Sequence, residues 1–375
     1  MSLKGGHLIG MGSFGCVFSP SLKCPDEKES DKDIVSKLFF SKDGKKELNE
    51  EFKINSSIKN IPGYEEWANV WYKKCKTDEY IKLYEQDNEV HDCLEENEID
   101  PHEFNNVRMM LQGNYGGVTF VDYLEKKLKK KVFASKKEFC KIFLDIVKCM
   151  KPLFMGLKEM YNKHIGHNDI SNKNIVIHNN KCKYIDFGFS CKYNNLKFYK
   201  KRSSLEFISG RIYPPYPYEF IYLYATKDVL KKNDKKDIEY DVMRNLHDRY
   251  KLVHEIFFNR NTKEYLLSLI SRFIHKNHKK GYIRGIISLL DTYSLGILLP
   301  YILCSRAKKY GKISSLKKYL LDKDIKLFVN LFTNMSEPDY FNRMNPNEVY
   351  SEYLKLEKQY LMNKSKNKKR TKRKK

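Results

Sequence analysis

No Cys-x-x-Cys pair occurs in the chain, although it has nine cysteines. That argues against a zinc ribbon and against a disulfide framework. With no leader-like apolar segment at MSLKGGHLIG, reduced thiols in a cytosolic compartment are expected. Position 2 is Ser rather than Gly, so the N-myristoylation pattern is also missing. The most membrane-like run, Gly285 to Cys304 (GIISLLDTYSLGILLPYILC), is interrupted by Asp291 and Pro300. An acid inside a bilayer is expensive, so this run reads as a buried core helix and no membrane partner is expected. There is no internal repeat. Acid is scarce relative to base: Asp and Glu number 47 against 71 Lys and Arg, a formal charge of +24. Such an excess concentrates anionic partners such as nucleic acid, phosphates or acidic proteins, and says nothing about fold.

What remains is a 375-residue chain with 41% apolar content, enough for two cores of ordinary size. The N-terminal part is glycine-rich and then β-branched, which predicts a hairpin followed by the strand DIVSKLFF. Residues 45–59 predict a charged helix, and the acidic residues 78–103 an inserted surface loop before a strand at NVRMML. From Lys136 to Lys163 apolar positions recur at helical spacing, interrupted only by Pro152 and Gly156. Residues 225–285 form a further charged, helix-compatible block. The basic end, 361–375, lacks the apolar surface that folding needs and is expected to stay solvated and disordered.

GMGSFGCV places glycines at Gly10, Gly12 and Gly15 and a valine at Val17. Glycines let backbone amides approach phosphate oxygens without an intervening Cβ. A dinucleotide-binding unit would continue as a helix and end its next strand in an acid; here Cys16-Val17-Phe18 continues as strand, and the next strand presents Lys37. A lysine in so apolar a strand needs an anion. Nucleotide phosphates would serve, with Glu47, Glu50 or Glu51 of the following helix as its protein partner. Glu51 is preferred because Ile54 and Ile58 lie on its face.

Further along stand HNDISNKN, with Asp169 and Asn174, and YIDFGFS, with Asp186 seventeen positions after Asp169. Together with D-x-x-S-L-G at 291–296, the order of these pieces resembles the eukaryotic-type protein kinases over about residues 8–355. The Lys/Asn/Tyr-rich composition and the insertions are similar to serine/threonine kinases of large nucleocytoplasmic DNA viruses. The resemblance implies an α+β, bilobal fold: a small β-rich N-lobe (1–113) and a larger, mainly helical C-lobe (114–360) carrying the 225–285 insertion. It implies an enzyme that transfers the γ-phosphoryl group of ATP to Ser or Thr hydroxyls of protein substrates, with Mg²⁺. Asp169 would handle the substrate hydroxyl proton, and Asn174 and Asp186 would hold the metal. Lys37 with Glu51 would position the nucleotide, and Ile9, Gly10, Met11, Gly12, Ser13, Phe14, Gly15, Cys16 and Val17 would form the loop over it. Leu111 to Tyr115 would offer backbone groups to adenine, with Met110 or a neighbour lining the back of the pocket. Asp291 would brace the catalytic loop, Glu219 would pair with Arg343, and His167 would pack rather than act as a base.

Three departures stand out. Asn168 occupies the position where the family usually has Arg, so a phosphate on the activation segment is not required. Ser171 stands where serine/threonine kinases carry Lys, and Lys173 either contacts the transferring group or faces solvent. Seventy-two positions separate Glu219 from Asp291, more than the family needs. The lysine-rich tail reads equally as a nuclear address, a tether to nucleic acid or another polyanion, or a solubilising end. The expected location is the host cytoplasm, with nucleus and virion as alternatives. A nucleotide-binding scaffold without turnover is the rival reading of the same residues. The sequence does not reveal the oligomeric state.

Overall fold

A computed structural model describes residues 7–12, 15–27, 31–39, 44–76, 91, 93, 95, 109–209, 215–221, 248–258 and 280–372. The chain divides into two units, Met1–Gly117 with Lys183–Ser190, and Val118–Cys182 with Cys191–Lys375. The D-F-G segment therefore goes with the N-terminal part rather than with its neighbours in sequence. The cause is backbone pairing: Tyr184 N–H donates to the Trp67 carbonyl at 2.8 Å, and its carbonyl accepts from Asn69 N–H at 2.9 Å.

In the first unit, β1 (His7–Gly12), β2 (Gly15–Ser19), β3 (Ile34–Phe39), β4 (Trp71–Lys76) and β5 (Met109–Asn114) form an antiparallel sheet in the order β1-β2-β3-β5-β4, with α1 (Gly44–Lys59) between β3 and β4 in sequence. Side chains alternate across a strand, so β3 presents two different faces. Leu38 packs with Cys16, Phe18 and Met110 on one. On the other, Phe39 joins Leu48 of α1 and Leu111 of β5, and Lys37 lies on this side, opposite Val17 and Leu111 in the ladders. Leu111, not Met110, is thus the β5 residue on the lysine's face. The buried stripe of α1 is Leu48, Glu51, Asn55 and Ile58, spaced as one face of a 3.6-residue helix. Ile54, which recommended Glu51 in sequence, is only half-buried.

Four of the cysteines come together in two pairs. Cys24 is disulfide-bonded to Cys75, with Cα atoms 5.8 Å apart, and Cys16 is packed against Cys93, with Cα atoms 6.5 Å apart. Each pair joins segments distant in sequence whose Cα spacing suits a bridge; local spacing such as Cys-x-x-Cys could not reveal it. Cys93 is fully buried, so the acidic stretch 78–103 is not wholly a surface loop; of its residues only 91, 93 and 95 are described.

In the second unit, β6 (Val118–Thr119) pairs with β8 (Ile175–His178) and β7 (Ile165–Gly166) with β10 (Cys191–Lys192), while the unit boundary falls within β9 (Lys181–Tyr184). The helices are α2 (Phe120–Lys127), α3 (Lys136–Cys149), α4 (Lys151–Asn162), α5 (Leu196–Ser209), α6 (Tyr218–Ile221), α7 (Asp248–Val253), α8 (Lys280–Ser288), α9 (Leu290–Lys309), α10 (Ile313–Leu320), α11 (Lys326–Met335) and α12 (Pro346–Lys372). The pattern over 136–163 proves to be two helices, with Pro152 in the first turn of the second, where it lacks no needed hydrogen bond. The run Gly285–Cys304 likewise divides at Leu289, which puts Asp291 in the first turn of α9. Among the described residues no helix is long and apolar enough to cross a membrane. Phe154 joins α4 to α11 and α12 through ring contacts with Phe332 and Tyr353 at 6.2 and 4.9 Å. The last helix, α12, runs through Lys372; from Asn347 to Lys372 there is neither Pro nor Gly, and Lys, Arg, Gln and Leu are good helix formers. Most of the 225–285 block lies outside the described residues.

Candidate active site

The first group of site residues is built on β3 and α1. The Lys37 ammonium lies 3.0 Å from Glu51 Oε2 and 3.2 Å from Asp186 Oδ1, and 5.2 Å over the Phe39 ring. Glu51 is the partner that the sequence left open among three glutamates; Glu50 is exposed. Burial pulls the Lys37 ammonium down, but the Glu51 and Asp186 carboxylates outweigh it and hold the group above the ordinary lysine value. The lysine therefore stays charged. The other Glu51 oxygen accepts the Trp71 indole N–H at 2.7 Å, and Asn55, one turn on, accepts the Trp71 backbone N–H at 2.9 Å. Trp71 is thus a positioning residue for Glu51 that no sequence pattern singled out. Asp186 adopts a left-handed backbone, φ 57°, uncommon for a residue with a Cβ. Its side chain is 41% exposed, against 8% and 3% for those of Lys37 and Glu51. An accessible carboxylate beside a buried, permanently charged amine suits a cation and the anion that accompanies it.

The glycine-rich turn joins β1 and β2 in the same sheet, with Gly10 opposite Val17 and Gly12 opposite Gly15. Ile9 and Met11 are half-exposed. Ser13 and Phe14 lie outside the described residues. Val17 shares a face with Lys37, but Cys16 is turned into the opposite core beside Cys93. Its backbone is the part that remains available to a ligand. In the expected adenine-binding stretch, the Tyr115 N–H is engaged by the Asp33 carbonyl at 2.8 Å.

The second group lies in the loop from β7 to β8. Asn174 Nδ2 donates to the carboxylate of Asp169 at 2.6 Å and to its carbonyl at 3.0 Å. The amide is thereby oriented with its NH₂ inward and its oxygen away from Asp169, and the carboxylate is fixed by the same contact. The backbone ahead of Asp169 is held by α9: Asp291 accepts His167 N–H at 2.6 Å and Asn168 N–H at 2.9 Å. Burial pushes the Asp291 carboxyl up to about 6 against the pull of these two donors. His167 is fully buried, and Lys173 is exposed. Glu219 and Arg343 form a buried pair at 2.5 Å, with the guanidinium 4.9 Å over the Tyr293 ring.

A family model described as protein tyrosine and serine/threonine kinase matches residues 3–214, a stretch that holds Lys37, Glu51, Asp169, Asn174 and Asp186. This chain belongs to the protein kinases. The kinase is also 29% identical over 174 residues to a protein of Acanthamoeba polyphaga mimivirus whose name gives it provisionally as a serine/threonine-protein kinase. That match takes in 37% of this chain and spans 27% of the relative's length. The kinase therefore resembles viral kinases, and its β-rich N-terminal and helical C-terminal parts are those of the bilobal α+β fold.

Proposed function

We propose that this kinase transfers the γ-phosphoryl group of ATP to serine or threonine hydroxyls of proteins, with Mg²⁺. The observation that carries this reading is the Lys37 ammonium held against Glu51 and Asp186, because an isolated buried lysine would be costly and this one is kept charged for an anion. The donors that each unit carries suit the group: in the first, a lysine for nucleotide phosphates and one accessible carboxylate at Asp186; in the second, the carboxamide oxygen of Asn174, a ligand type that suits a hard cation. When bound, the metal-nucleotide supplies the transferable phosphoryl group and neutralises its charge. Asp169 receives the proton of the substrate hydroxyl, and Asn174 keeps its carboxylate aimed. Lys37 positions the phosphates, Glu51 fixes Lys37, and Trp71 fixes Glu51. The protein's part is placement and electrostatics rather than covalent chemistry.

The test is transfer from labelled ATP with Mg²⁺ to a mixed panel of basic and acidic proteins, followed by phosphoamino-acid analysis. Phosphoserine or phosphothreonine is expected. Asp169→Asn should lower transfer by about 10²-fold to 10⁴-fold while binding of a fluorescent ATP analogue is retained. Equal transfer by the variant would overturn the assignment of Asp169, and nucleotide binding without transfer by the wild type would favour the scaffold reading.

A further inference from the structure

We propose that Tyr199 and Tyr216 are positioning residues for phosphoryl transfer, clamping Asn168 so that Asp169 is held ready without a phosphate on the chain. This rests on the reading of Asp169 given above. Asn168 is 1% exposed and has a left-handed backbone, φ 61°, a conformation that asparagine tolerates better than most residues. Its polar atoms are all engaged, and by different parts of the unit. Its N–H goes to Asp291 of α9 at 2.9 Å, and its carbonyl accepts the Tyr216 hydroxyl at 2.6 Å. Its Oδ1 accepts the Tyr199 hydroxyl at 3.2 Å, and its Nδ2 donates to the Gly166 carbonyl at 3.2 Å and to Cys191 Sγ at 3.5 Å.

The carbonyl of residue 168 belongs to the peptide group that begins Asp169, so Tyr216 orients that peptide directly. Tyr199 acts one step back, by fixing the side chain that ties residue 168 to β7 and β10. Both phenols are themselves immobilised. Tyr199 is fully buried and Tyr216 is 1% exposed. Both pack edge-on against Phe220, with ring centroids 6.5 and 4.7 Å away. Ser203 of α5 donates to the Phe220 carbonyl at 2.8 Å, and Ser294 of α9 donates to the Pro215 carbonyl at 2.8 Å, so both segments bearing the tyrosines are pinned. Close approach is built in as well: a Cβ at Gly166 would lie 2.6 Å from Asn168 Oδ1 and 2.8 Å from the Tyr199 hydroxyl. The donors facing the Asn168 side chain and carbonyl are neutral hydroxyls. An amide needs only these, whereas a guanidinium at this position would need an anion.

Tyr216→Phe and Tyr199→Phe remove the hydroxyls at nearly constant volume, and steady-state kinetics on the full chain read the result. The kcat of Tyr216→Phe should fall by about 10-fold to 100-fold, with a smaller fall for Tyr199→Phe, while KM for ATP stays within about twofold because Lys37 and Asp186 are untouched. Active-enzyme concentration is set by titration of nucleotide sites, so partial unfolding does not mimic the effect. Phosphatase-treated wild type should keep its kcat. If both Phe variants keep wild-type kcat, if the loss matches lost nucleotide sites, or if phosphatase abolishes wild-type turnover, the inference fails while the kinase reading stands. A wild type that never transfers phosphate overturns both.

Discussion

Asp291 shows how a single residue can be costly to the fold and yet required by the site. It is an acid in the first turn of a buried helix, and its two oxygens accept the N–H groups that precede Asp169. Burial raises its carboxyl to about 6 from an ordinary 3.8. Between those values the folded chain binds a proton that the unfolded chain does not, so this residue makes the protein more stable as pH falls through that window. The contribution is fully present below the unfolded value and lost above about 6, amounting to about 3 kcal/mol at most. Urea titrations from pH 7 to pH 4 should therefore show wild type gaining stability relative to Asp291→Asn as the solution is acidified. A difference independent of pH would refute the raised carboxyl. Local spacing made several residues of the site legible in sequence: Lys37 stands alone in an apolar strand, and Asp169 and Asn174 are five positions apart. Trp71, Tyr199 and Tyr216 were not legible, because they reach their partners across 20, 31 and 48 positions and belong to no repeating pattern.

Among the elements, β2 and β3 meet so closely that one hydrogen decides the packing. A Cβ on Gly15 would stand 2.2 Å from the Leu38 carbonyl oxygen, backbone that cannot swing aside. Gly15→Ala should therefore open the ladder that carries Lys37 and destabilise the first unit by about 1–3 kcal/mol, as overpacking generally does. Chemical denaturation followed by Trp67 and Trp71 fluorescence measures it, and an unchanged midpoint would mean that the strands separate without cost. In sequence this glycine reads as a phosphate-loop residue, but its contact with β3 is a separate, steric reason for having no side chain. Helix boundaries were less legible than helix existence. Apolar spacing marks 136–163 as helical, and Pro152 is the residue that hints at its division, although a proline does not force one, since Pro300 lies inside α9; nothing in the sequence marks the break at Leu289, because the residues on both sides are equally apolar. The choice of Glu51 rested on Ile54 and Ile58, whereas the face that is buried runs through Leu48, Asn55 and Ile58.

For the molecule as a whole, the disulfide between Cys24 and Cys75 adds to the picture that composition suggests. Cys24 and Cys75 are separated by 51 positions, so their bond removes chain entropy from the unfolded state and should add about 2–4 kcal/mol. Reductant should lower the thermal midpoint of the wild type and lower that of Cys75→Ser less; equal shifts would mean that this pair contributes nothing. Nine cysteines at irregular spacings look like ordinary buried thiols, because pairing is a property of three-dimensional proximity.

The helix α9 has a further consequence. Every residue from Leu290 through Pro300 is buried, so the first half of the helix has no outward stripe and depends on its neighbours for cover, whereas Tyr301, Ser305 and Lys308 face outward in the second half. α10 and α11 follow it in the chain. During translation an apolar rod therefore emerges before all its covering has been made, and this is the stretch of the nascent kinase that a chaperone would grip.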